Sequence, residues 1–420
     1  MDAGEPGRGR MRVRRRALTH RWLIPFFAAL LTVVGGGVVV LEARVVGDVL
    51  ERPGIEGFYL DPVPEGSGPP GQIVRQEELI GLPFDTRAWR ILYRSTDVFG
   101  EPLVVSGIVV APLGPAPAGG RTVLSWGHPT TGSARDCAPS LAADPFLDIE
   151  GLRLMLDRGY VVVATDYAGM GYPGPDSYLV GATEGNNVLD AARAAQSIPG
   201  TDAGTSVVLW GHSQGGQAVL FAAERAADYA PELDVAAVAV AAPAADLTAL
   251  LDADIGDISG VTIGSYAFTA YAGVYGDTVA GAELSDILTP AAIAAAPEMN
   301  ELCLLTHTTE LHAIGQPLVG NFVLSDPTKT PPWDSLLADN SAGSVAFEAP
   351  LYIAQGLEDT LIHPGDTRDF AEHEASPGID VTLAEGPHAT HATNAYFTLP
   401  GLMAVRGRLE APLGNRGWEV

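Results

Sequence analysis

One short segment of the chain has the residue types and spacing of a covalent catalyst. Ser213 lies in Gly211-His212-Ser213-Gln214-Gly215, between the apolar run Val207–Trp210 and a helix-forming run that continues to Tyr229. A serine at a sharp strand-to-helix turn, flanked by glycines and with a helix N-terminus behind it, is a nucleophile elbow. The alternative is an ordinary glycine-rich turn. The context favours Ser213 as a nucleophile.

A serine nucleophile needs a general base, and the base needs a carboxylate that orients it. When an elbow of this kind carries a triad, the serine comes first in the chain, the acid second and the histidine last. Asp359 follows the predicted strand Leu351–Ala354 and takes the acid position. The competing interpretations are that Glu358 is the acid, or that Asp359 is a plain surface carboxylate.

Two histidines follow the predicted strand Val381–Ala384, in the loop where the base is expected. His391 is preferred to His388 because the catalytic imidazole comes immediately before the last helix. His212, beside the nucleophile, is expected to have a packing or pocket role.

An oxyanion hole needs two backbone amides. One comes from the residue after the nucleophile, here Gln214, and the other from the loop after an early strand. Val123–Trp126 is that strand, and its loop contains Thr131, which is the predicted second donor and whose hydroxyl would supply a third hydrogen bond. The competing interpretation is a Pro/Gly turn without a catalytic role.

These residues need a sheet that brings several loops to one edge. Short apolar strands alternate with helical stretches, which predicts a mostly parallel sheet with helices on both faces. An antiparallel hairpin is expected to open it. The hairpin strands are Trp89–Tyr93 and Leu103–Ala111; the later strands are Val123–Trp126, Tyr160–Ala164, Val207–Trp210, Val235–Ala241, Leu351–Ala354 and Val381–Ala384; the helices are Asp148–Arg158, Asn187–Gln196 and Gly216–Tyr229.

The alternation stops at a long Ala/Gly-rich insertion, residues 246–345, which divides the predicted core into 83–245 and 346–420. Its position between two late strands favours a lid or cap over the site. The alternative is a packing subdomain without a gating role. The predicted helical pieces of the insertion are Leu247–Leu251, Pro290–Ala296 and Met299–His312.

The N-terminus has the pattern of an export signal. Residues 1–21 are arginine-rich and are expected to stay in the cytoplasm, and residues 22–41 are almost entirely apolar. Because that run approaches the length needed to span a bilayer, we expect an uncleaved membrane anchor, with cleavage and secretion as the alternative. Residues 44–82 read as a Pro/Gly-rich connection.

The net charge and the cysteine and histidine content limit which binding partners and cofactors we expect. The net charge of −27 argues against nucleic acid as a partner. No Cys/His cluster has metal-ligand spacing, so no metal is predicted. The only two cysteines, Cys137 and Cys303, fit one disulfide in an exported chain, with free thiols as the alternative.

Several motifs together make the chain from about residue 80 onward resemble the secretory lipase family, the lipase A-like branch of the α/β-hydrolases. They are His128–Gly132, Asp136–Ser140, Asp166–Gly171, Gly211–Gly215, Gln355–Asp359 and Thr390–Thr393. The resemblance implies the α/β-hydrolase fold and a helical lid in the insertion. It also implies Ser213, Asp359 and His391 as triad, Thr131 and Gln214 at the oxyanion hole, and a disulfide between Cys137 and Cys303.

The sequence thus predicts an exported serine carboxylic ester hydrolase that acts on a small-molecule ester or a lipid and requires no cofactor. No protein partner is implied, and membrane contact would come through residues 22–41 if they are not removed. The alternatives are an acyltransferase or amidase with the same triad, or a non-catalytic cell-envelope binding protein on a hydrolase scaffold.

Overall fold

A twisted nine-stranded sheet organises the part of the chain that the computed structural model describes, which is residues 55–63, 68–79, 83 and 85–396. The predicted cytoplasmic segment 1–21, the predicted signal segment 22–41 and residues 397–420 of the predicted core lie outside these residues. Within them, no helix is both long and apolar enough to cross a membrane.

The strand order in the sheet is β1-β2-β3-β5-β4-β6-β7-β8-β9. The strands are β1 Ile73–Glu78, β2 Thr86–Thr96, β3 Pro102–Pro112, β4 Arg121–Gly127, β5 Val161–Thr165, β6 Ala203–His212, β7 Asp234–Ala241, β8 Leu351–Gly356 and β9 Val381–Gly386. The pairings among β1, β2, β3 and β5 are antiparallel, and all pairings from β5 through β4 to β9 are parallel. The predicted opening hairpin and mostly parallel sheet are confirmed.

Helices cover the sheet and fill the insertion. They are α1 (residues 55–60), α2 Leu152–Asp157, α3 Gly181–Ser197, α4 Gln214–Tyr229, α5 Leu247–Asp254, α6 Ile258–Tyr275, α7 Leu284–Ile287, α8 Pro290–Asn300, α9 Thr308–Gly315, α10 Trp333–Asp339, α11 Pro364–Ala375 and α12 (residues 391–396).

The core lies on both faces of the sheet because successive side chains of a strand point to opposite sides. In β6, Leu209 belongs to the cluster that α3, α4 and α11 cover, whereas Trp210 belongs to the cluster that α2 and α12 cover. Both side chains are fully buried. Such burial on two faces explains why the parallel strands are apolar runs without alternation.

The insertion has a hydrophobic cluster of its own. Tyr266, Phe268 and Trp333 are fully buried there, and Tyr178 and Leu179 of the core pack against the same cluster. The insertion therefore shares an apolar boundary with the loop before α3.

Three details of the helices and strands differ from the sequence-based expectation. The predicted helix Met299–His312 is interrupted, because α8 ends at Asn300 and α9 begins at Thr308. The longest helix of the insertion, α6, was not predicted, since three glycines and several β-branched residues lower its helix propensity. The segment 44–82, interpreted as a connection, includes the edge strand β1.

Candidate active site

The elbow at Ser213 joins the end of β6 to the start of α4. Ser213 has φ of 57° and ψ of −119°, a backbone conformation that L-residues rarely adopt. A Cβ at Gly211 would lie 2.0 Å from the carbonyl oxygen of Gly215, and one at Gly215 would lie 1.9 Å from that of Gly127. Only glycine fits at these two positions, so the tight turn depends on both.

Three residues from distant parts of the chain form one line of hydrogen bonds. The Ser213 Oγ lies 3.0 Å from Nε2 of His391, and Nδ1 of His391 lies 2.9 Å from Oδ2 of Asp359. In this arrangement the serine hydroxyl donates to Nε2 while Nδ1–H donates to the carboxylate. The geometry is that of a nucleophile, a general base and an orienting acid.

The carboxylate of Asp359 is held by the loop that follows β8. Its Oδ1 accepts the backbone amides of Leu361 and Ile362 at 2.9 and 3.0 Å. Burial by itself raises the pKa of Asp359, but the hydrogen bond and charge of His391 and these two amides outweigh it and hold the pKa below the usual value. The group is therefore ionised at neutral pH.

The competing residues of the same loops lie elsewhere. His388 is 88% exposed, and its Nδ1 contacts Oε1 of Glu358 at 3.1 Å on the surface. The structure thus brings Asp359 and His391 to Ser213 and leaves Glu358 and His388 paired with each other.

The loop after β4 places Thr131 beside the elbow, and both Thr131 and Gln214 line the same cavity as Ser213. Within the described residues, no hydrogen bond uses the backbone amide of either residue. The expected third hydrogen bond from the threonine hydroxyl is not available, because that hydroxyl donates to the carbonyl oxygen of Cys137 at 2.9 Å. The structure joins Cys137 to Cys303 by a disulfide.

A second carboxylate–imidazole pair lies next to His391. Nδ1 of His212 contacts Oε1 of Glu150 at 2.8 Å, and Nε2 of His212 lies 3.0 Å from the backbone carbonyl oxygen of His391. Both ring nitrogens of His212 therefore lie against oxygen atoms that can accept hydrogen bonds. The pair is almost fully buried.

Sequence reasoning did not find Glu150, because no motif surrounds it and 62 residues separate it from His212. A carboxylate in the loop between β4 and β5, combined with a histidine inside the elbow, was the only available signal.

The side chain of Gln214 is fixed beneath the elbow. Its Nε2 donates to Oε1 of Glu184 at 2.7 Å, and the amide of Leu179 donates to the same oxygen at 3.0 Å. Complete burial raises the pKa of Glu184 well above its usual range, and the two hydrogen bonds that its Oε1 accepts only partly offset this effect. The Gln214 side chain therefore has a structural partner, Glu184, outside the line of hydrogen bonds at Ser213.

The cavity above Ser213 has a volume of about 390 Å³, within the range of small-molecule sites. Its lining is largely apolar, with contributions from Leu250 and Ile263 of the insertion. Leu305 and Tyr396 also line it and are 61% and 66% exposed. An apolar cavity with a few convergent polar groups suits a substrate that has a hydrocarbon part and one polar reacting group.

In the part of the chain that the structure describes, no group of three or more His, Cys, Asp or Glu side chains is placed to hold a metal ion.

Comparison with known proteins gives consistent matches. The family model described as secretory lipase matches residues 147–409. A Mycobacterium tuberculosis protein named a probable inactive lipase is 26% identical over 374 residues, covering 83% of this chain and 80% of that one. Lipase 5 of Candida albicans is 27% identical over 346 residues, covering 75% and 70%.

Among solved structures, lipase A of Candida antarctica superposes with a TM-score of 0.70 at 18% identity, covering 85% of this chain and 86% of that one. At 18% identity this similarity shows a shared fold, which is the α/β-hydrolase fold.

Proposed function

Because the chain belongs to the secretory lipase family, we propose that this carboxylic ester hydrolase acts through Ser213, His391 and Asp359 and passes through an acyl-enzyme. The observation that carries the proposal is the continuous line of hydrogen bonds from Ser213 Oγ through both ring nitrogens of His391 to Asp359. A serine beside a base that is itself oriented by a carboxylate is an activated nucleophile.

In the first half of the reaction, Ser213 Oγ attacks the ester carbonyl carbon while Nε2 of His391 takes the hydroxyl proton. Asp359 keeps the Nδ1–H tautomer and stabilises the imidazolium that forms. The amides of Thr131 and Gln214 donate to the oxyanion of the tetrahedral intermediate. The intermediate collapses when His391 gives its proton to the leaving alcohol.

In the second half, a water molecule attacks the acyl-enzyme and His391 takes its proton. The second tetrahedral intermediate then releases the carboxylic acid, and the proton returns from His391 to Ser213 Oγ. All groups that this cycle needs belong to the chain or are water.

The substrate is a small-molecule ester or a lipid, as the family implies. The apolar lining supports an acyl group in contact with Leu250 and Ile263 and a scissile carbonyl at Ser213. This orientation places the hydrocarbon against the insertion and the reacting group against the core loops.

The test is hydrolysis of p-nitrophenyl esters of increasing acyl length by the purified chain, beside the variant Ser213→Ala. We expect activity in the parent chain and a loss of about 10⁴-fold or more in kcat in the variant, because the acyl-enzyme cannot form. Ser197→Ala, which removes a partly buried hydroxyl from α3, is the matched control. Equal rates in the parent chain and Ser213→Ala would show that another group performs the hydrolysis.

Three other uses of the same scaffold are distinguished by further measurements. An acyltransferase would form more ester product, at the expense of hydrolysis, as an alcohol is added, and an amidase would cleave the matching anilides. A non-catalytic protein would leave Ser213 unlabelled by a fluorophosphonate. This last arm matters because one relative is named a probable inactive lipase.

We propose further that the chain is exported. The family description and the disulfide between Cys137 and Cys303 both support an oxidising, extracytoplasmic location. Residues 22–41 would then act as an anchor or as a removable signal. N-terminal sequencing of protein from the culture medium and from the membrane fraction decides between these forms, and protein found only in the cytoplasm would contradict export.

A further inference from the structure

The loop that contains Thr131, the proposed second donor of the oxyanion hole, forms hydrogen bonds near both cysteines of the disulfide. The Thr131 hydroxyl donates to the carbonyl oxygen of Cys137 at 2.9 Å. The carbonyl oxygen of Thr131 accepts the amide of Leu304, the residue after Cys303, at 2.8 Å. Thr131 therefore contacts the neighbourhood of both half-cystines, once through its side chain and once through its backbone.

The next residue of the loop lies directly against the disulfide. Gly132 has φ of +139°, and a Cβ on it would lie 2.6 Å from Sγ of Cys137 and 3.1 Å from Cα of Cys303. No other residue fits between the loop and the disulfide. The backbone on either side of the Thr131–Gly132 peptide is thus confined by the disulfide and by the two hydrogen bonds.

The disulfide joins two parts of the molecule that are 166 residues apart. Cys137 ends a short 3₁₀ turn of the core, Arg135–Cys137, whereas Cys303 lies in the break between α8 and α9 of the insertion. The segment around Cys303 is held from the other side as well, because the Tyr266 hydroxyl of α6 donates to the carbonyl oxygen of Leu302 at 2.7 Å.

We propose that the disulfide Cys137–Cys303 and the Thr131 hydroxyl are positioning elements of the oxyanion hole. They hold the Thr131 amide at the place where negative charge develops, and residues 302–305 of the insertion are a fixed part of the active site. This inference rests on the proposed hydrolase function, since it assigns a role to groups that act through the Thr131 amide.

The physical consequence is a selective effect on the transition state. The ester carbonyl of a bound substrate has little charge, whereas the tetrahedral intermediate has a full negative charge on the same oxygen. A displaced amide therefore lowers kcat and leaves KM nearly unchanged. Removal of an entire oxyanion donor costs about 10²–10³-fold in kcat, which is the upper limit for a donor that is only misplaced.

The experiment compares Thr131→Val, which keeps the shape of the side chain and removes its hydroxyl, with Thr131→Ser, which keeps a hydroxyl. We measure kcat and KM for a p-nitrophenyl ester and the inhibition constant of a trifluoromethyl ketone, whose adduct with the serine has an oxyanion. For Thr131→Val we expect kcat to fall about 10- to 100-fold, KM to change less than about threefold, and the ketone to bind more weakly by the same factor as kcat. Thr131→Ser is expected to recover most of the loss.

The second arm removes the disulfide in Cys137→Ala/Cys303→Ala. The expected result is the same selective loss of kcat and of ketone affinity, measured at a temperature at which circular dichroism shows the native fold. Thr201→Val is the matched control, because Thr201 is also buried and its hydroxyl also donates to a backbone carbonyl oxygen at 2.9 Å, but it does not line the cavity.

Unchanged kcat and unchanged ketone affinity in Thr131→Val would overturn the inference, and so would a loss that Thr201→Val reproduces. If the double cysteine variant does not fold, Thr131→Val and Thr131→Ser decide the matter without it. Fluorophosphonate labelling keeps the two proposals apart. A parent chain that is neither labelled at Ser213 nor hydrolytic refutes the proposed function itself, whereas a labelled and active parent chain with an active Thr131→Val variant refutes only the positioning role.

Discussion

The two walls of the cavity are built in different ways. The wall that contains Ser213 and His391 consists of loops at the carboxyl ends of strands, and directional hydrogen bonds of 2.8–3.0 Å connect its polar side chains. The other wall, with Leu250 and Ile263, belongs to the insertion, and both residues are part of its apolar cluster.

The hydrogen-bonded wall is suited to the chemical step, and the apolar wall is suited to substrate selection. Proton transfer needs atoms at fixed distances and angles, which hydrogen bonds supply. Contact with a hydrocarbon chain depends mainly on shape and area, because the hydrophobic effect is not directional. Substitutions in the first wall should therefore change the rate for every ester, and substitutions in the second should change the ranking of esters.

After Ser213→Ala, the largest effect in the polar wall is expected for Asp359→Asn. An asparagine amide in this place favours the wrong tautomer of His391, so kcat should fall about 10³- to 10⁴-fold with KM changed little. The measurement is steady-state hydrolysis of a short and a long p-nitrophenyl ester. Glu358→Gln, in the exposed pair with His388, is the control and should keep the parent rate. A loss below about tenfold in Asp359→Asn would contradict the role of this carboxylate.

A smaller loss is expected for Glu150→Gln. The substitution keeps the size of the side chain and removes the charge that holds His212, which in turn holds the carbonyl oxygen of His391. We expect kcat to fall about tenfold for all esters, because a charge-assisted hydrogen bond contributes about 1.5–3 kcal/mol. If neither Glu150→Gln nor His212→Gln changes kcat, the second pair has no part in positioning the base.

The apolar wall is tested with Ile263→Trp. The larger side chain takes volume from the cavity, so kcat/KM for long acyl chains should fall about tenfold relative to that for the acetyl ester. Ile263→Val, which enlarges the cavity slightly, is the control and should not disfavour long chains. An equal loss for short and long esters in Ile263→Trp would show that the two walls are not separable.

The smallest effect, on stability alone, is expected for a residue that belongs to neither wall. Burial, together with the charge of Glu224, raises the pKa of Glu374 in α11 to about 7. Between the usual pKa and this raised one, the folded state therefore keeps a proton on Glu374 that the unfolded state has released. The contribution of Glu374 to stability is complete below about pH 4.3 and is lost as the pH rises to about 7.

Glu374→Gln removes that titration. Between pH 5 and pH 8, the free energy of unfolding of the parent chain should fall by about 1–3 kcal/mol more than that of the variant. Urea unfolding followed by circular dichroism at both pH values measures it. The buried carboxyls Asp176 and Asp190, whose pKa burial raises to about 6, act in the same direction in both proteins. Parallel pH dependence of the two chains would contradict the assignment to Glu374.

The family and the fold were predictable from the sequence, and the comparisons confirm both. The prediction succeeded because the parallel strands are short apolar runs with turns between them. It also succeeded because the elbow requires glycines, since a Cβ added at Gly215 would lie 1.9 Å from the carbonyl oxygen of Gly127. The triad and oxyanion assignments remain predictions, and the experiments above test them.

The insertion was harder to predict. The helix α6 contains glycines that lower its intrinsic preference for a helix, and it forms because packing of Tyr266 and Phe268 outweighs that preference. The break between α8 and α9, where Cys303 lies, has no strong local signal in the sequence either. Local propensity is a weak guide where tertiary packing decides the conformation.

The sequence by itself determined the order of the strands from β2 onward, the elbow at Ser213 and the two loops in which an acid and a base were expected. Those features depend on local patterns, which a single chain displays. Only the tertiary structure placed Glu150 against His212 and set Thr131 between Cys137 and Leu304. These contacts join residues far apart in the chain, and their geometry depends on how the whole sheet and the insertion pack.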